Sequence, residues 1–598
     1  MALNAILIEY QARVVALHAA ASQLRLGQII ALAIMSATIV TLVVLAYFSV
    51  IRRTVFLPYV LLPLPVAIYS GTLGKRRNSA LLQTLRLKTY YQSGVDRLEG
   101  KWPGSGVSGR EFVLSGHCYD KDLQVFGEGS LFELLCTCRT QVGRRQLAKY
   151  LVETPTLLET VRRQEAVREL QNRNDLREQI NLLGEFSFQE STWGTITEWL
   201  ESPVVQAHTL LRALAFGTSV ALALLLLLGF DSVLPWSSLA IWIGGLLLLS
   251  GGLGLHYRAR VLASLEGIRS AGAEVGVLRE GLSLIQKQKF SSALLTEIVE
   301  CSREADAPIL IRKLERLMRA LTERDREWFY IFSRVLLIGT QVFLAVERWR
   351  AEYGSAAQRW LHAWGEFEAL TALANYAYEH PDNRFARFSS ETHMFEGQGI
   401  GHPLLPAKLC VRNDISLNEH ARLYVISGSN MAGKSTLLRA IGLNAVLAYA
   451  GAPVCADSLV LSRFSICASL AIQDSLLNGQ SKFFAEVDRI RQALDIPLEQ
   501  GPVLFLIDEL FGGTNSKDRR VAAEAILRAF IERGAMGAVS THDLALTELA
   551  AVSDLKAVNV HMGSGNDSDP MNFDYRVKPG VANQSSALAI IRLAGVPV

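Results

Sequence analysis

The sequence predicts an α/β domain in the last third of the chain, preceded by two hairpins of membrane-spanning helices. Short apolar runs at 423–426, 503–507 and 537–541 are separated by long segments, as in a parallel sheet whose strands are covered by helices on both faces. Four stretches without charged residues lie nearer the N-terminus. They explain why half of the residues are apolar and why the mean hydropathy is +0.22.

The first element of the α/β domain is a phosphate-binding loop. Two glycines five positions apart are followed by Lys434 and Ser435, which is the P-loop pattern. The loop stands between the strand 423–426 and a helical apolar spacing over 436–450. Such a loop directs backbone amides at a phosphate, with Lys434 reaching the β- and γ-phosphates and Ser435 binding magnesium. The candidate nucleotide-binding residues are Gly428, Ser429, Asn430, Met431, Ala432, Gly433, Lys434, Ser435 and Thr436.

Two further strands end in residues that suit nucleotide hydrolysis. The run 503–507 is followed by Asp508 and Glu509, and the run 537–541 by His542. The carboxyl ends of parallel strands are where an open α/β sheet places its ligands. Asp508 is therefore a candidate magnesium ligand, Glu509 a candidate base for the attacking water and His542 a candidate sensor of the γ-phosphate. The candidate catalytic residues are Lys434, Glu509 and His542.

These motifs resemble the MutS family of DNA mismatch-repair ATPases. The matching segments are 413–415, the P-loop itself, 479–486, 508–515, 540–543 and 573–597, with a looser likeness at 130–147 and 163–167. The resemblance covers roughly residues 120–598. It implies an α/β P-loop ATPase domain preceded by a mostly α-helical MutS-like core, with ATP and Mg²⁺ as cofactors.

The resemblance also implies a homodimer with shared active sites, in which Ser481 of one subunit approaches the γ-phosphate held by the other. Some positions depart from the family pattern. Phe511 and Gly512 stand where Gly-Arg is usual, Ala432 replaces a common glycine, and Cys410 lies near the place of an aromatic residue that stacks on adenine. Tyr575 is the candidate for that stacking instead. Nothing ahead of residue 120 resembles the family's mismatch-reading domain.

The four charge-free stretches are 26–51, 54–74, 213–230 and 232–255. At about 1.5 Å per residue the first and last are long enough to cross a hydrocarbon core of about 30 Å. Three prolines interrupt the second, and buried core helices are the alternative for each. Arginines lie just before the stretch 213–230 and just after the stretch 232–255. Because basic residues favour the cytoplasmic side, the turn between these two stretches is expected outside the cytoplasm. The expected location is a bacterial-type inner membrane, multi-pass, with the ATPase domain in the cytoplasm.

Four segments follow from these features. Residues 1–78 are expected to form a membrane hairpin and 79–119 a juxtamembrane linker. Residues 120–395 are expected to form the helical core, interrupted by a second membrane hairpin at 213–255, and 396–598 the ATPase domain. Since the family's core carries long helices that end in a DNA clamp, the second hairpin is a candidate replacement for that clamp.

The choice of partner stays open between two function classes. Sixty basic and 57 acidic residues give a net charge of +3, which neither requires nor excludes nucleic acid. The seven cysteines lack the paired spacing of a zinc site, so no structural metal is expected. One class is an ATPase that clamps double-stranded DNA, as in mismatch repair. The other is a membrane-attached, ATP-driven switch acting on a protein or lipid partner.

Overall fold

The computed structural model describes residues 2–52, 63–184, 195–203, 209–230, 235–323, 338–429, 431–470, 482–496, 501–511, 516–563 and 573–582. The chain divides into two compact units. The first comprises residues 1–137, 147–182 and 370–598, and the second comprises 138–146 and 183–369. The domain boundaries drawn from the sequence remain predictions.

The N-terminus is an antiparallel pair of long helices, α1 (Ala2–Arg52) and α2 (Leu64–Glu99). The rings of Tyr10 and Tyr91 meet edge to face with centroids 5.1 Å apart. Further along the pair, the Gln28 side chain donates to Asn78 Oδ1 at 3.0 Å. Helix α2 ends at Gly100, whose φ of 76° is the left-handed conformation that terminates many helices. The Arg97 guanidinium then ties the base of this pair to Glu379 at 2.6 Å.

One helix of the described residues, Leu3–Tyr47, is long and apolar enough to cross a membrane, judged by length and composition. Two shorter apolar helices, Phe216–Gly229 and Trp236–Gly252, fall in the second predicted hairpin. They lie within the longer helices Thr209–Phe230 and Trp236–Ile285. The predicted span 54–74 begins outside the described residues. A multi-pass arrangement with two hairpins therefore stays a proposal.

Short helices follow the N-terminal pair: α3 (Leu131–Leu135), α4 (Gln141–Val152), α5 (Leu157–Gln171) and α6 (Asn174–Leu182). Helix α5 begins with a capping box, in which Thr156 and Glu159 each bond the other's backbone N–H. Segment 117–123, ahead of α3, packs on the α/β sheet. Ala468 donates its backbone N–H to the Cys118 carbonyl at 2.9 Å, and Cys118 packs against the sheet's apolar core.

The second unit is built from helices. They are α7 (Thr195–Glu201), α8 (Thr209–Phe230), α9 (Trp236–Ile285), α10 (Ala293–Arg303), α11 (Ala307–Glu323) and most of α12 (Ile338–Glu379), whose last turns from Leu370 belong to the first unit. Trp360 and Trp364 are fully buried. Glu368 is buried as well, and burial raises the pKa of its carboxyl against the opposing effect of hydrogen bonds from Thr140 and the Arg139 backbone. The expected mostly helical region is present here.

The α/β part centres on a six-stranded sheet in the order β12-β11-β5-β10-β9-β8. Its strands are β5 (Leu423–Gly428), β8 (Ser465–Ser469), β9 (Val503–Asp508), β10 (Met536–Thr541), β11 (Ala557–Met562) and β12 (Lys578–Pro579). All pair in parallel except β12. Every residue of β5 and β10 is buried, which explains their unbroken apolar runs. The predicted parallel sheet is confirmed.

In the part of the chain that the structure describes, the α-helices on this sheet are α13 (Lys434–Ala450), α14 (Lys482–Leu494) and α15 (Ser516–Glu532). The rings of Phe505 on β9 and Phe530 on α15 stack at 4.7 Å, which adds roughly 0.5–1.5 kcal/mol to the gain from burying their area. Smaller sheets stand beside it. One pairs β1 (Arg384–Phe385) with β6 (Pro453–Val454), and the other contains β2 (Arg387–Phe388), β3 (Phe395–Ile400), β4 (Asn413–Leu417) and β7 (Ser458–Leu461).

Candidate functional site

The register of the sheet brings the three predicted motifs to one edge. Ser427 at the end of β5 pairs with Thr541 of β10, and Ser540 pairs with Asp508 of β9. The P-loop, the Asp508-Glu509 pair and His542 therefore emerge side by side, although up to about 110 residues separate them in the chain. This edge is the carboxyl end of the parallel strands, as expected for an open α/β sheet.

Two glycines shape the P-loop. Gly428 has a φ of 147°, and a Cβ added there would lie 2.2 Å from the Met562 carbonyl oxygen on the neighbouring strand. Gly433 has a φ of 97° and immediately precedes helix α13, where a Cβ would approach the Tyr575 ring to 3.0 Å. Only glycine combines these conformations with such close neighbours. The loop can thus follow a tight path into the amino end of a helix.

Lys434 is folded into the loop it follows. Its Nζ donates to the carbonyl oxygens of Gly428 at 2.8 Å and Ser429 at 2.9 Å, and the residue is buried. Burial lowers the pKa of this ammonium, while the nearby carboxylates of Asp508 and Glu509 act in the opposite direction. A buried cation at the amino end of a helix is a favourable place for an anionic phosphate.

Asp508 is held on both carboxylate oxygens. The Ser435 hydroxyl donates to one and the Ser540 hydroxyl to the other. Ser435 is the second residue of helix α13, so Asp508, at the end of β9, connects that helix to the sheet. Hydroxyl and carboxylate oxygens are the ligands that Mg²⁺ prefers, and Ser435 with Asp508 is a donor set that fits this ion. The two predicted metal-binding residues therefore lie together.

Glu509 and His542 meet just beyond the strands. Glu509 Oε1 and His542 Nδ1 are 3.2 Å apart, with both side chains partly exposed to solvent. Glu509 adopts a φ of 55°, and its backbone N–H donates to the Ser540 carbonyl at 3.1 Å. A left-handed conformation in a non-glycine residue is unusual, and such residues cluster at functional sites.

A cavity of about 280 Å³ adjoins the P-loop. Its lining is mostly apolar and includes Ile400, His402, Leu405, Leu409, Val411, Asn413, Gly433, Thr436, Leu437, Ala440, Met562 and Tyr575. An apolar cleft with few polar groups next to a phosphate-binding loop suits the base and sugar of a nucleotide. Thr436 and Tyr575 were predicted to contact the nucleotide, and both line this cavity.

His402 brings a polar group into the cavity wall. Its Nδ1 accepts the Leu404 backbone N–H at 3.3 Å. Burial, and secondarily the positive charge of Arg439, lower the pKa of this imidazole to about 4. The ring is therefore neutral at physiological pH. Since Nδ1 accepts, Nε2 carries the remaining proton and is a donor.

The structure places most of the predicted site residues together, and their roles remain proposals. Lys434, Ser435, Asp508, Glu509 and His542 converge at the sheet edge, with the loop residues Gly428, Ser429 and Gly433 around them. Ala432 is fully buried, and Met431 is exposed with a φ of 73°. Asn430 and Ser481 lie outside the described residues. Ser540 and His402 were not predicted as site residues. Ser540 falls in the matching segment 540–543, where only His542 was given a role, and a histidine before a proline has no distinctive pattern.

Residues 424–598 match the family model described as MutS domain V. The DNA mismatch repair protein MutS of Lactobacillus delbrueckii subsp. bulgaricus is 32% identical over 240 residues, which are 39% of this chain and 28% of that protein. The DNA mismatch repair protein MutS of Thermus thermophilus is 30% identical over 279 residues, 46% of this chain and 33% of that protein. The chain thus spans about a third or less of the length of these curated relatives.

Proposed function

This chain belongs to the MutS family through its C-terminal domain, and from that premise we propose that it binds ATP with magnesium and hydrolyses it. One observation carries the proposal. Lys434, Ser435, Asp508 and Glu509 come from separate parts of the chain and meet at one edge of the sheet. A buried ammonium, a hydroxyl paired with a carboxylate and a second carboxylate together match the needs of phosphoryl transfer to water.

Each group has a distinct part in this proposal. The P-loop amides and Lys434 hold the phosphates, and the adjoining cavity takes the nucleoside with Tyr575 against the base. Ser435 and Asp508 hold magnesium, which neutralises charge on the phosphates when it is bound. Glu509 accepts the proton of the attacking water, and His542, 3.2 Å from it, helps to orient that carboxylate.

The test uses two substitutions with different expected failures. Lys434→Ala removes the buried ammonium and should weaken ATP binding. Glu509→Gln keeps the shape of the side chain but cannot accept the proton, so it should bind ATP normally and lose turnover by about 10²-fold or more. Fluorescent-nucleotide titration and phosphate release measure the two effects. Native turnover in Glu509→Gln would contradict the role of this residue.

We also propose attachment to a membrane through the N-terminal helices. Helix α1 exposes apolar side chains along its length, among them Ile29, Ile34, Val40, Val43 and Tyr47. Large exposed apolar surfaces mark contacts with other proteins or with lipid. The length of the helix and the absence of charge over 26–51 favour lipid. The second apolar pair, at 213–255, is proposed as a further membrane contact.

The proposed assembly is a homodimer in which Ser481 of each subunit completes the site of the other. Met431 and Leu409, close to the nucleotide cavity, are about two-thirds exposed to solvent. They offer an apolar surface that a second subunit can cover. In mixed dimers, a Lys434→Ala subunit and a Ser481→Ala subunit would leave one of two shared sites intact. Partial recovery of ATP turnover on mixing is the expected result, provided that formation of mixed dimers is verified.

Double-stranded DNA is the first candidate partner, because the relatives are named DNA mismatch repair proteins. The alternative is a protein or lipid partner driven by the same ATP cycle. Binding to duplex DNA would weaken steeply as salt rises, since basic side chains release condensed counterions from the phosphates. Filter binding at several salt concentrations separates the two functions.

A further inference from the structure

The turn that follows Asp508 and Glu509 holds two residues in an uncommon conformation. Glu509 has a φ of 55° and Phe511 a φ of 56°, and neither is glycine. Side chains disfavour this region, so surrounding contacts must maintain it. Ser540 supplies a contact at the first residue, where its carbonyl accepts the Glu509 N–H. A separate contact fixes the second.

That contact comes from Glu486 on helix α14. Its Oε1 accepts the backbone N–H of Phe511 at 2.8 Å. Both residues are buried, with Glu486 4% and Phe511 2% exposed to solvent. The Phe511 ring packs in the sheet's apolar core with Ile490, one turn further along α14. A carboxylate taken out of water needs such donors, because an unpaired buried charge is costly. Helix and turn are therefore joined by a hydrogen bond and by apolar packing.

The same side of this helix makes a further set of contacts. Arg489, three residues after Glu486, donates to the His117 carbonyl and lies 3.7 Å from the Asp122 carboxylate. Asp122 is itself buried and accepts the Leu470 backbone N–H at 2.8 Å, directly after β8. Residues three apart share one side of a helix. Helix α14 is thus joined both to segment 117–122 and to the turn that carries Glu509.

We propose that Glu486 is a positioning residue for the hydrolytic site. By holding Phe511 it keeps the turn in the shape that presents Glu509 beside Asp508, while the Arg489 contacts keep α14 in place. Glu486 acts through the backbone of the turn and needs no contact with nucleotide. The inference rests on the proposed hydrolysis of ATP and adds to it a residue outside the three strand-end motifs.

The test compares variants at Glu486 with a matched control. Glu486→Ala removes the acceptor, Glu486→Met removes it while keeping most of the volume, and Glu486→Gln retains an acceptor oxygen. Asp488→Ala is the control, because Asp488 lies on the same helix and accepts only from the side chains of Arg491 and Gln492 among the contacts described. Turnover, ATP affinity and amide exchange of the peptide 503–511 are measured for each.

The expected result separates positioning from simple stability. Glu486→Ala and Glu486→Met should lose about tenfold or more in kcat, the size expected for one lost hydrogen bond to a charged group, with ATP affinity nearly unchanged. Amide exchange in 503–511 should accelerate in both. Glu486→Gln should keep most of the rate and the protection. If Glu486→Ala does not fold, Glu486→Met provides the same comparison.

Two outcomes would overturn the proposal. One is a kcat in Glu486→Met equal to that of Asp488→Ala, and the other is a fall in ATP affinity as large as the fall in kcat. Failure of the underlying function is distinguishable. It would appear as no ATP turnover in the unchanged protein, and amide exchange at 503–511 would then still report whether Glu486 holds the turn.

Discussion

The Ser540 hydroxyl lies between the two acidic residues of the site. It donates to Asp508, and its oxygen is 3.3 Å from the Glu509 backbone nitrogen. Ser540 is fully buried, so replacing its hydroxyl hydrogen bond with one to water would cost free energy. Asp508 therefore keeps one rotamer, with its other oxygen on Ser435. Replacing a group that orients a metal ligand typically lowers metal affinity or activity by about 10–100-fold.

Ser540→Ala should accordingly raise the magnesium concentration required for half-maximal ATP turnover by about tenfold or more. ATP binding without magnesium should stay near the native value, because Lys434 is untouched. The measurement is turnover against Mg²⁺ concentration. Ser462→Ala is the control, since Ser462 is also a buried serine, bonded to the backbones of Glu391 and Met394 away from the site. Equal magnesium curves for the two variants would rule out the orienting role.

His402 makes the stability of the fold depend on pH. The imidazole has an ordinary pKa of about 6.5 in the unfolded chain and about 4 in the fold. Between these values the unfolded state binds more protons, so the free energy of unfolding falls as pH falls. The loss should reach roughly 3 kcal/mol between pH 6.5 and pH 4, with little further change from this group below pH 4.

His402→Asn keeps an acceptor for the Leu404 N–H without the titrating ring. Urea unfolding at pH 7 and pH 5 should show a smaller loss of stability in this variant than in the unchanged protein. His420→Asn, at an exposed position of the same domain, is the comparison and should retain the full loss. An identical pH dependence in all three proteins would show that other groups govern acid sensitivity.

At the scale of residues, the sequence predicted those site residues that belong to a motif of fixed spacing, such as Lys434 after the P-loop glycines. Sequence patterns gave no role to Ser540 or Glu486, although both residues fall in segments that resemble the family, and they did not single out His402. The contribution of each depends on a neighbour brought by the fold, and the partner of Glu486 lies 25 residues away in the chain. Local spacing has no information on such pairs.

At the scale of elements, the P-loop depends on the strand beside it. Gly428 is the last residue of β5 and pairs with Met562 of β11. A side chain at position 428 would contact the Met562 carbonyl. Gly563, the next residue after Met562, has open space around its Cβ position. The two glycines are thus close in the structure but differ in what surrounds them.

Gly428→Ala should destabilise the domain by about 1–3 kcal/mol or more, because the new side chain meets backbone in a conformation reserved for glycine. ATP binding should fall with it, since the loop cannot keep its path. Gly563→Ala should change neither quantity appreciably. Urea denaturation measures the stability and nucleotide titration measures the ATP binding of each variant. Equal values for the two variants would mean that the end of β11 moves to accommodate the added methyl group.

Helices and strands of the α/β domain were predicted well from sequence. The runs 423–426, 503–507 and 537–541 correspond to β5, β9 and β10, and the helix expected at 436–450 is part of α13. These elements are buried on both faces, so their composition reflects their environment directly. Helix α1 was harder to delimit. Its apolar stretch indicates only the part suited to lipid, whereas the helix extends back to Ala2 through residues of mixed character.

At the scale of the whole molecule, the division into units could not be predicted from the sequence. Residues 370–598 are in the same unit as 1–137, and contacts such as the one between Tyr90 and Asn375, 2.9 Å apart, join positions 285 residues apart. The apolar span 26–51 can be identified from its own composition, whereas helix α2 (Leu64–Glu99) extends through residues that the sequence assigned to a linker. The place where they dock depends on surfaces that exist only after folding.

Membrane attachment is the prediction that belongs to this scale. Val43 is 63% exposed within the charge-free part of α1, and Val15 is 69% exposed on the same helix ahead of it. An arginine near the centre of a membrane-spanning helix costs about 2.5–3.5 kcal/mol. Val43→Arg should therefore shift protein from the membrane fraction to the soluble fraction, and Val15→Arg should not.

The unchanged protein should stay with membranes in high salt and in alkaline carbonate, because screening does not affect buried apolar area. Sedimentation followed by immunoblotting measures all three proteins. Complete release of the unchanged protein by carbonate would mean that α1 meets other protein surfaces instead of lipid.

The arrangement of Lys434 has a further consequence for the energetics of the domain. Its ammonium is buried and bound to two carbonyl oxygens of the P-loop. The dehydration cost is therefore met during folding, and an arriving phosphate gains a prepared partner. A phosphate bound beside this ammonium would offset that cost and stabilise the fold by thermodynamic linkage. Burial of this single side chain is thus expected to favour phosphate binding at a cost in the stability of the fold.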